Sequence, residues 1–362
     1  MAMAARLQLL LSPATPAAHP PRRRLSTRAW TRRPVPAIAA ATTSSSSGSP
    51  SSGSGQSTTT TNSGGESTTP RKVTLKLTYL EINSWMWEVQ QQGQPPVRIL
   101  VDPIVVGNLD FGAPWLFDGA KKDPKVKALA VEDLLAPDMA PDLLLITQSL
   151  DDHCHVRTLT RLSAMAPDLP VVTTPNAQPV LASLPTPFRR VTYLEPGQST
   201  AVGDHVGVLA TAGPVLGPPW QRPENGYILT AGGGNGVLYY EPHCVYDRAF
   251  LDTNRLRADV VITPVVKQLL PANFTLVSGQ EDAVDLAKQL QARYVVPMSN
   301  GDVDAGGLLA SVLATQGTTQ SFKAMLSEAL PEAQVLDPTP GVPLQLELEL
   351  DIETNQPQAA AA

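Results

Sequence analysis

Thr147-Gln148-Ser149-Leu150-Asp151-Asp152-His153-Cys154-His155 follows directly on the apolar run Leu143–Ile146. Four consecutive apolar residues bounded by polar ones read as a short buried strand. The polar residues that follow set two carboxylates and two imidazoles at its end, a place where metal sites are often built, and these are ligand types for Zn, Fe or Mn. Residues 155–165 then read as a helix, 171–174 as a strand and 176–184 as a helix, the pattern of a βαβ crossover.

Outward from this unit the same alternation fills residues 71–350 without an internal boundary. On the N-terminal side, 72–79 alternates apolar and polar as a half-buried strand, and 84–89 and 97–101 read as its hairpin partners, ended by Asp102-Pro103. Residues 104–122 have no clean period and read as a long loop pinned by Leu109, Phe111, Trp115, Leu116 and Phe117, whose aromatics line a pocket or pack on the core. On the C-terminal side, 190–194, 206–211, 227–230 and 237–241 read as a second antiparallel set. A strand at 260–264, a helix at 279–292, a strand at 294–298 and a helix at 319–330 complete a second βα alternation. The expected fold is α/β: an αββα sandwich of two mixed, mainly antiparallel sheets flanked by helices.

The loop after Ile146 resembles the signature of the metallo-β-lactamase fold superfamily, a Thr followed by His-x-His-x-Asp-His. Thr147, Asp152 and His153 match it, while Gln148 and Leu150 stand where the first two histidines belong. The spacing is most similar to the lactonase-like branch, which includes ascorbate-phosphate lactonase relatives and plant plastid homologues. The resemblance implies a two-metal site with five histidines and a bridging Asp, used to activate water against acyl or phosphoryl centres. This chain has five histidines in all, and His19 and His205 lie in a tail and a turn, so the full site cannot be built. No histidine occurs near Thr211-Ala212-Gly213, His243 takes the place of the bridging Asp, and Ser299 takes that of the last histidine.

What remains is Asp152, His153, His155, Glu241 and His243, interleaved with Cys154 and Cys244. Asp152, His153 and His243, with Glu241 or a water as a fourth ligand, make a shell suited to one Zn, Fe or Mn ion. In that reading Asp151 or Glu241 shuttles protons and the Gln148 amide orients water or polarises a carbonyl. His153 and His243 nitrogens about 3 to 3.5 Å apart would permit a shared ion, and a separation beyond about 6 Å would exclude it. Local chemistry leaves alternatives open: Asp152 as a helix cap with His153 hydrogen-bonded in a relic pocket, His155 exposed further along the helix, and Glu241 paired with Arg248. Cys154 and Cys244 are either a thiol switch or two small buried residues.

Gly232-Gly233-Gly234-Asn235-Gly236 joins two strands and reads as a hairpin turn instead of a phosphate loop. Ser149 and Ser299 lack the context of a serine nucleophile.

Composition bounds the rest. Residues 1–65 hold seven arginines, no lysine and no carboxylate, so 1–41 read as a transit peptide and 42–70 as a disordered Ser/Thr/Gly linker. The chloroplast is the expected destination, with the mitochondrion as the alternative, and 351–362 read as a disordered tail. Lys+Arg 27 against Asp+Glu 33 gives a net charge of −6, and all of the tail's contribution is positive, so the remainder is more acidic still. Such a body argues against nucleic-acid or anionic-membrane partners, and the family resemblance implies a small-molecule ligand or substrate. No apolar run reaches the roughly eighteen residues of a membrane span, and two cysteines exclude a disulfide scaffold. Two functions follow: a metal-dependent hydrolase of small esters, lactones or phosphorylated acids, or a non-catalytic binding protein that keeps the fold and pocket.

Overall fold

The computed structural model describes residues 71–216, 220–231 and 236–350. The expected transit peptide, linker and C-terminal tail lie outside the described residues.

Two seven-stranded sheets stack face to face. The first runs Pro343–Leu350, Arg71–Tyr79, Trp85–Gln91, Val97–Val101, Leu143–Ile146, Val171–Thr173 and Val191–Tyr193. Its first three junctions are antiparallel and its last three parallel. The second runs Gln334–Val335, Tyr294–Met298, Ala258–Pro264, Gly236–Tyr240, Asn225–Ala231, Val206–Ala212 and Ser199–Val202. Here the first three junctions are parallel and the rest antiparallel. The αββα expectation holds, and Asn225–Ala231 and Gly236–Tyr240 form the expected hairpin.

Strand periodicity builds the layers. Val73, Leu75 and Leu77 point inward and are fully buried, while Lys72, Thr74 and Lys76 alternate with them on the other face. Leu143–Ile146 is buried on both faces. Leu143 and Leu145 join the core between the sheets, and Leu144 and Ile146 pack outward against Leu159 and Leu162 of the helix Val156–Met165. In the second sheet Val260 and Ile262 face inward. Val261 meets Ala283, Leu286 and Leu290 of the helix Gln280–Leu290, and Phe322 and Leu326 of the helix Thr319–Ala329. Each such buried aliphatic side chain contributes about 1.5–3 kcal/mol. Trp87 and Tyr240 meet edge to face across the sheets at 5.2 Å between ring centroids. The Tyr240 hydroxyl donates to Asn83 O at 3.0 Å and the Tyr227 hydroxyl to Ile146 O at 3.1 Å, which locks the two sheets at one rim.

Four expectations are corrected. Val191–Tyr193, expected in the second antiparallel set, is the last strand of the first sheet and runs parallel to Val171–Thr173. Residues 104–122 are not wholly a loop: Asp118–Ala120 pairs with Asp304–Gly306, and Leu109 bridges Gly119. Partners from nearly two hundred residues away supply that pairing, which no local period could reveal. Of the aromatics there, Phe111 and Phe117 pack on Ile82, Ile104 and Leu109, whereas Trp115 is 71% exposed. The strand Pro343–Leu350 was not expected, although Leu346, Leu348 and Leu350 alternate with Glu347 and Glu349; it extends the first sheet beside Arg71–Tyr79.

Candidate metal centre

The rim gathers four backbone segments: the turn at residues 81–84, Asp102 at the end of Val97–Val101, residues 147–155 beyond Leu143–Ile146, and residues 241–245 beyond Gly236–Tyr240. Asp102 has φ 41°, Glu81 63°, Ile82 56° and Cys244 53°. Left-handed backbone at non-glycine residues costs of order 1–3 kcal/mol each and clusters where side chains must be aimed.

His153 is the centre of this arrangement. Its Nδ1 lies 2.8 Å from Asp102 Oδ2 and 3.0 Å from Thr147 Oγ1, and its Nε2 lies 3.2 Å from Asp152 Oδ2. Asp102 is itself fixed by Thr147, accepting from the backbone N–H at 2.8 Å and from the hydroxyl at 2.6 Å. Burial alone would lower the His153 pKa, but Asp152 and Asp102 outweigh it and push the ring up to about 10. Asn83 closes the group: its Nδ2 donates to Asp152 O at 2.9 Å and stands 3.1 Å from His153 Nε2.

His243 approaches from the second sheet, its ring centroid 5.2 Å from that of His153. Its backbone is clamped: the N–H donates to Glu241 Oε2 at 3.0 Å, and the carbonyl accepts from Ser278 N–H at 2.9 Å. Asn300 Nδ2 donates to Pro242 O at 2.9 Å. Gln148 Nε2 lies 2.7 Å from His243 Nδ1. Burial, then the charge of His153, lowers the His243 pKa to about 4, so this ring is neutral.

One ligand atom from each of Asp152, His153 and His243 lies within 4.8 Å of the others, inside the 6 Å limit for a shared ion. Among the described residues this is the only such group. Its chemistry fits one ion. Asp152 Oδ1 is buried without a hydrogen-bond partner, the donors are two imidazoles and a carboxylate, and Asp102 holds Nδ1 of His153 as an outer carboxylate typically holds a ligating imidazole.

The remaining candidates lie around this group. Glu241 is outside the three-residue cluster: Oε2 takes the N–H groups of His243 and Val245 at 3.0 and 2.6 Å, and Oε1 is buried without a partner. Burial pushes its pKa up to about 8, partly offset by those N–H groups. Arg248 pairs with Asp285 at 2.8 Å and Asp282 at 3.8 Å, not with Glu241, because it faces the helix Gln280–Leu290. Asp151, not Asp152, caps the helix, accepting from Val156 N–H at 3.0 Å. His155 is fully buried, correcting the expectation of exposure: it is the residue before the helix, and its Nδ1 meets Thr158 Oγ1 at 2.8 Å. Cys154 and Cys244 are free and pack in the hydrophobic layers of different sheets, where burial raises both thiols.

Asp102 was missed as a site residue. Its signal was a carboxylate directly after a buried strand, read only as the strand's end. Asn83 carried no signal at all.

The fold is shared with solved proteins of low identity. A metallo hydrolase from the hyperthermophilic archaeon Ignicoccus hospitalis is 18% identical with a TM-score of 0.51, covering 76% of this chain and 100% of that one. An isothiocyanate hydrolase from Delia radicum gut bacteria is 17% identical with a TM-score of 0.52, covering 75% and 100%. CmlA, a diiron beta-hydroxylase from Streptomyces venezuelae, is 15% identical with a TM-score of 0.50, covering 78% of this chain and 55% of that one. No curated protein matches the sequence. The model of the beta-lactamase superfamily domain matches residues 76–299, more than half of the chain, and the protein therefore belongs to the β-lactamase superfamily.

Proposed function

We propose that this protein is a metal-dependent hydrolase working with a single ion held by Asp152, His153 and His243. The observation that carries it is the convergence of those three ligand atoms within 4.8 Å from two different sheets. Zn, Fe or Mn suits the donor set, and such an ion supplies Lewis-acid polarisation of a scissile carbonyl or phosphoryl group. The chain's own residues do the positioning: Thr147 holds Asp102, Asp102 holds His153, and Glu241 holds the backbone of His243. The substrates are small esters, lactones or phosphorylated acids, as in the lactonase-like branch that the degenerate His-x-His-x-Asp-His resembles. The fold is compatible with hydrolysis, since two of the similar structures are named hydrolases. The chloroplast is the proposed compartment, on the strength of the arginine-rich, acid-free leader. No helix among the described residues is long and apolar enough to cross a membrane.

A second reading, a binding protein without catalysis, is favoured by one observation. Both nitrogens of His153 already face carboxylates, Asp102 and Asp152, so the ring is fully engaged without an ion.

Elemental analysis of protein purified without chelator or affinity histidines separates the two. About one equivalent of Zn, Fe or Mn, lost in the His153→Ala, His243→Ala double variant, supports the hydrolase and directs screening to esters and lactones. No bound metal after reconstitution leaves the binding protein.

A further inference from the structure

We propose that Gln148 is a positioning residue that selects the ring tautomer of His243, and so decides whether Nε2 of that ring carries a proton or is bare. The inference rests on the single-ion reading above.

The two imidazoles of the site are built alike. Each has Nδ1 against fully buried polar side chains: Asp102 at 2.8 Å and Thr147 at 3.0 Å for His153, and Gln148 at 2.7 Å for His243. Ligating histidines almost always donate their second ring N–H to an outer partner, which fixes the tautomer and leaves the first nitrogen bare. A carboxylate does this in one way, because it only accepts. An amide does it in two.

With the Gln148 N–H toward Nδ1, the proton of the neutral ring sits on Nε2 and blocks ligation there. With Oε1 toward Nδ1, the ring carries its proton on Nδ1 and Nε2 is bare. The two amide orientations have nearly the same shape and are related by a half-turn about the last side-chain torsion, whose preferences are broad and two-fold. The surroundings do not commit the amide to one of them: the atom turned away from His243 is buried without a hydrogen-bond partner. The residue standing where the family signature has a ligand thus acts one shell further out, as a two-position holder for the ligand opposite.

The test uses full-length protein labelled with ¹⁵N-histidine, in wild-type, Gln148→Glu and Gln148→Leu forms, with His243→Gln to assign the ring signals. Long-range proton–nitrogen correlation reads the tautomer without metal, and zinc titration against a competing chelator reads affinity. Wild type is expected to carry the proton on Nε2 without zinc and on Nδ1 with it. Gln148→Glu, which only accepts when ionised, is expected to hold the proton on Nδ1 already and to bind zinc at least as tightly. Gln148→Leu is expected to bind zinc about 10–100-fold more weakly. Identical His243 tautomers in metal-free wild type and Gln148→Glu overturn the proposal, as does wild-type zinc affinity in Gln148→Leu. Absence of zinc binding by wild type defeats the single-ion reading instead, while the metal-free tautomers still decide what Gln148 does. If Gln148→Leu fails to fold, Gln148→Glu carries both readouts.

Discussion

Nδ1 of His153 stands 2.8 Å from Oδ2 of Asp102, and neither side chain reaches solvent. Neutralising Asp102 weakens two buried hydrogen bonds while Asp152 still faces Nε2 of His153 at 3.2 Å, a loss of about 1–3 kcal/mol. Asp102→Asn should lose stability on that scale in urea unfolding. A loss under about 1 kcal/mol would show that His153 is not held charged by Asp102.

The buried histidines of the metal-free protein should contribute to stability in two pH windows. His155 is lowered to about 4, chiefly by burial and then by the charge of Arg157, and His243 is lowered to about 4 as well. An unfolded histidine binds its proton near 6.5, so between about 6.5 and 4 the unfolded chain takes up protons that the folded protein refuses, and stability falls as pH falls. His153 acts in the opposite sense. Its folded pKa is raised to about 10, so its contribution is complete below about 6.5 and is lost as pH rises from there toward 10. Unfolding free energies of wild type and His155→Gln from pH 4 to 7 check the acid limb. The variant should be flatter by about 3 kcal/mol across that range, and parallel curves would refute the assignment.

Glu241 holds two backbone N–H groups with one oxygen, at 3.0 and 2.6 Å. Glu241→Gln keeps an acceptor there and should stay within about 1 kcal/mol of wild type, whereas Glu241→Leu strands both donors at about 1–3 kcal/mol each. Thermal unfolding of the two variants compares them, and equal losses would mean that the acceptor role is not what matters.

A methyl group on Gly226 would lie 2.8 Å from Thr211 Oγ1, 3.1 Å from Glu241 Cγ and 3.2 Å from the Tyr239 hydroxyl. Gly226→Ala should therefore cost about 1–3 kcal/mol by overpacking and should displace Glu241, with a shifted His243 backbone amide signal in NMR. An unperturbed His243 amide would show that the strain is relieved elsewhere.

Most of the sandwich was legible because its strands declare themselves locally: Val73, Leu75 and Leu77 alternate, and Leu143–Ile146 is apolar throughout. The pairing of Asp118–Ala120 with Asp304–Gly306 was not, since each segment is three residues long and has no period of its own. In the site, Asp152, His153 and His243 were legible as metal-binding residue types, and the structure brings them together. Asp102 and Asn83 were not, because a carboxylate at a strand end and an amide in a turn are ordinary surface chemistry until the chain buries them.

By itself the sequence determined the α/β class, the alternation that builds two layers, and the impossibility of a five-histidine site, because these follow from local period and from counting residues. Only the tertiary structure decided what the surviving groups do. It buried His153 between Asp102 and Asp152, set Gln148 against His243, sent Asp151 to a helix end and parted Cys154 from Cys244. Those outcomes depend on contacts between strands of different sheets and on the loss of water around charged groups, and neither is encoded within reach of any short stretch of chain.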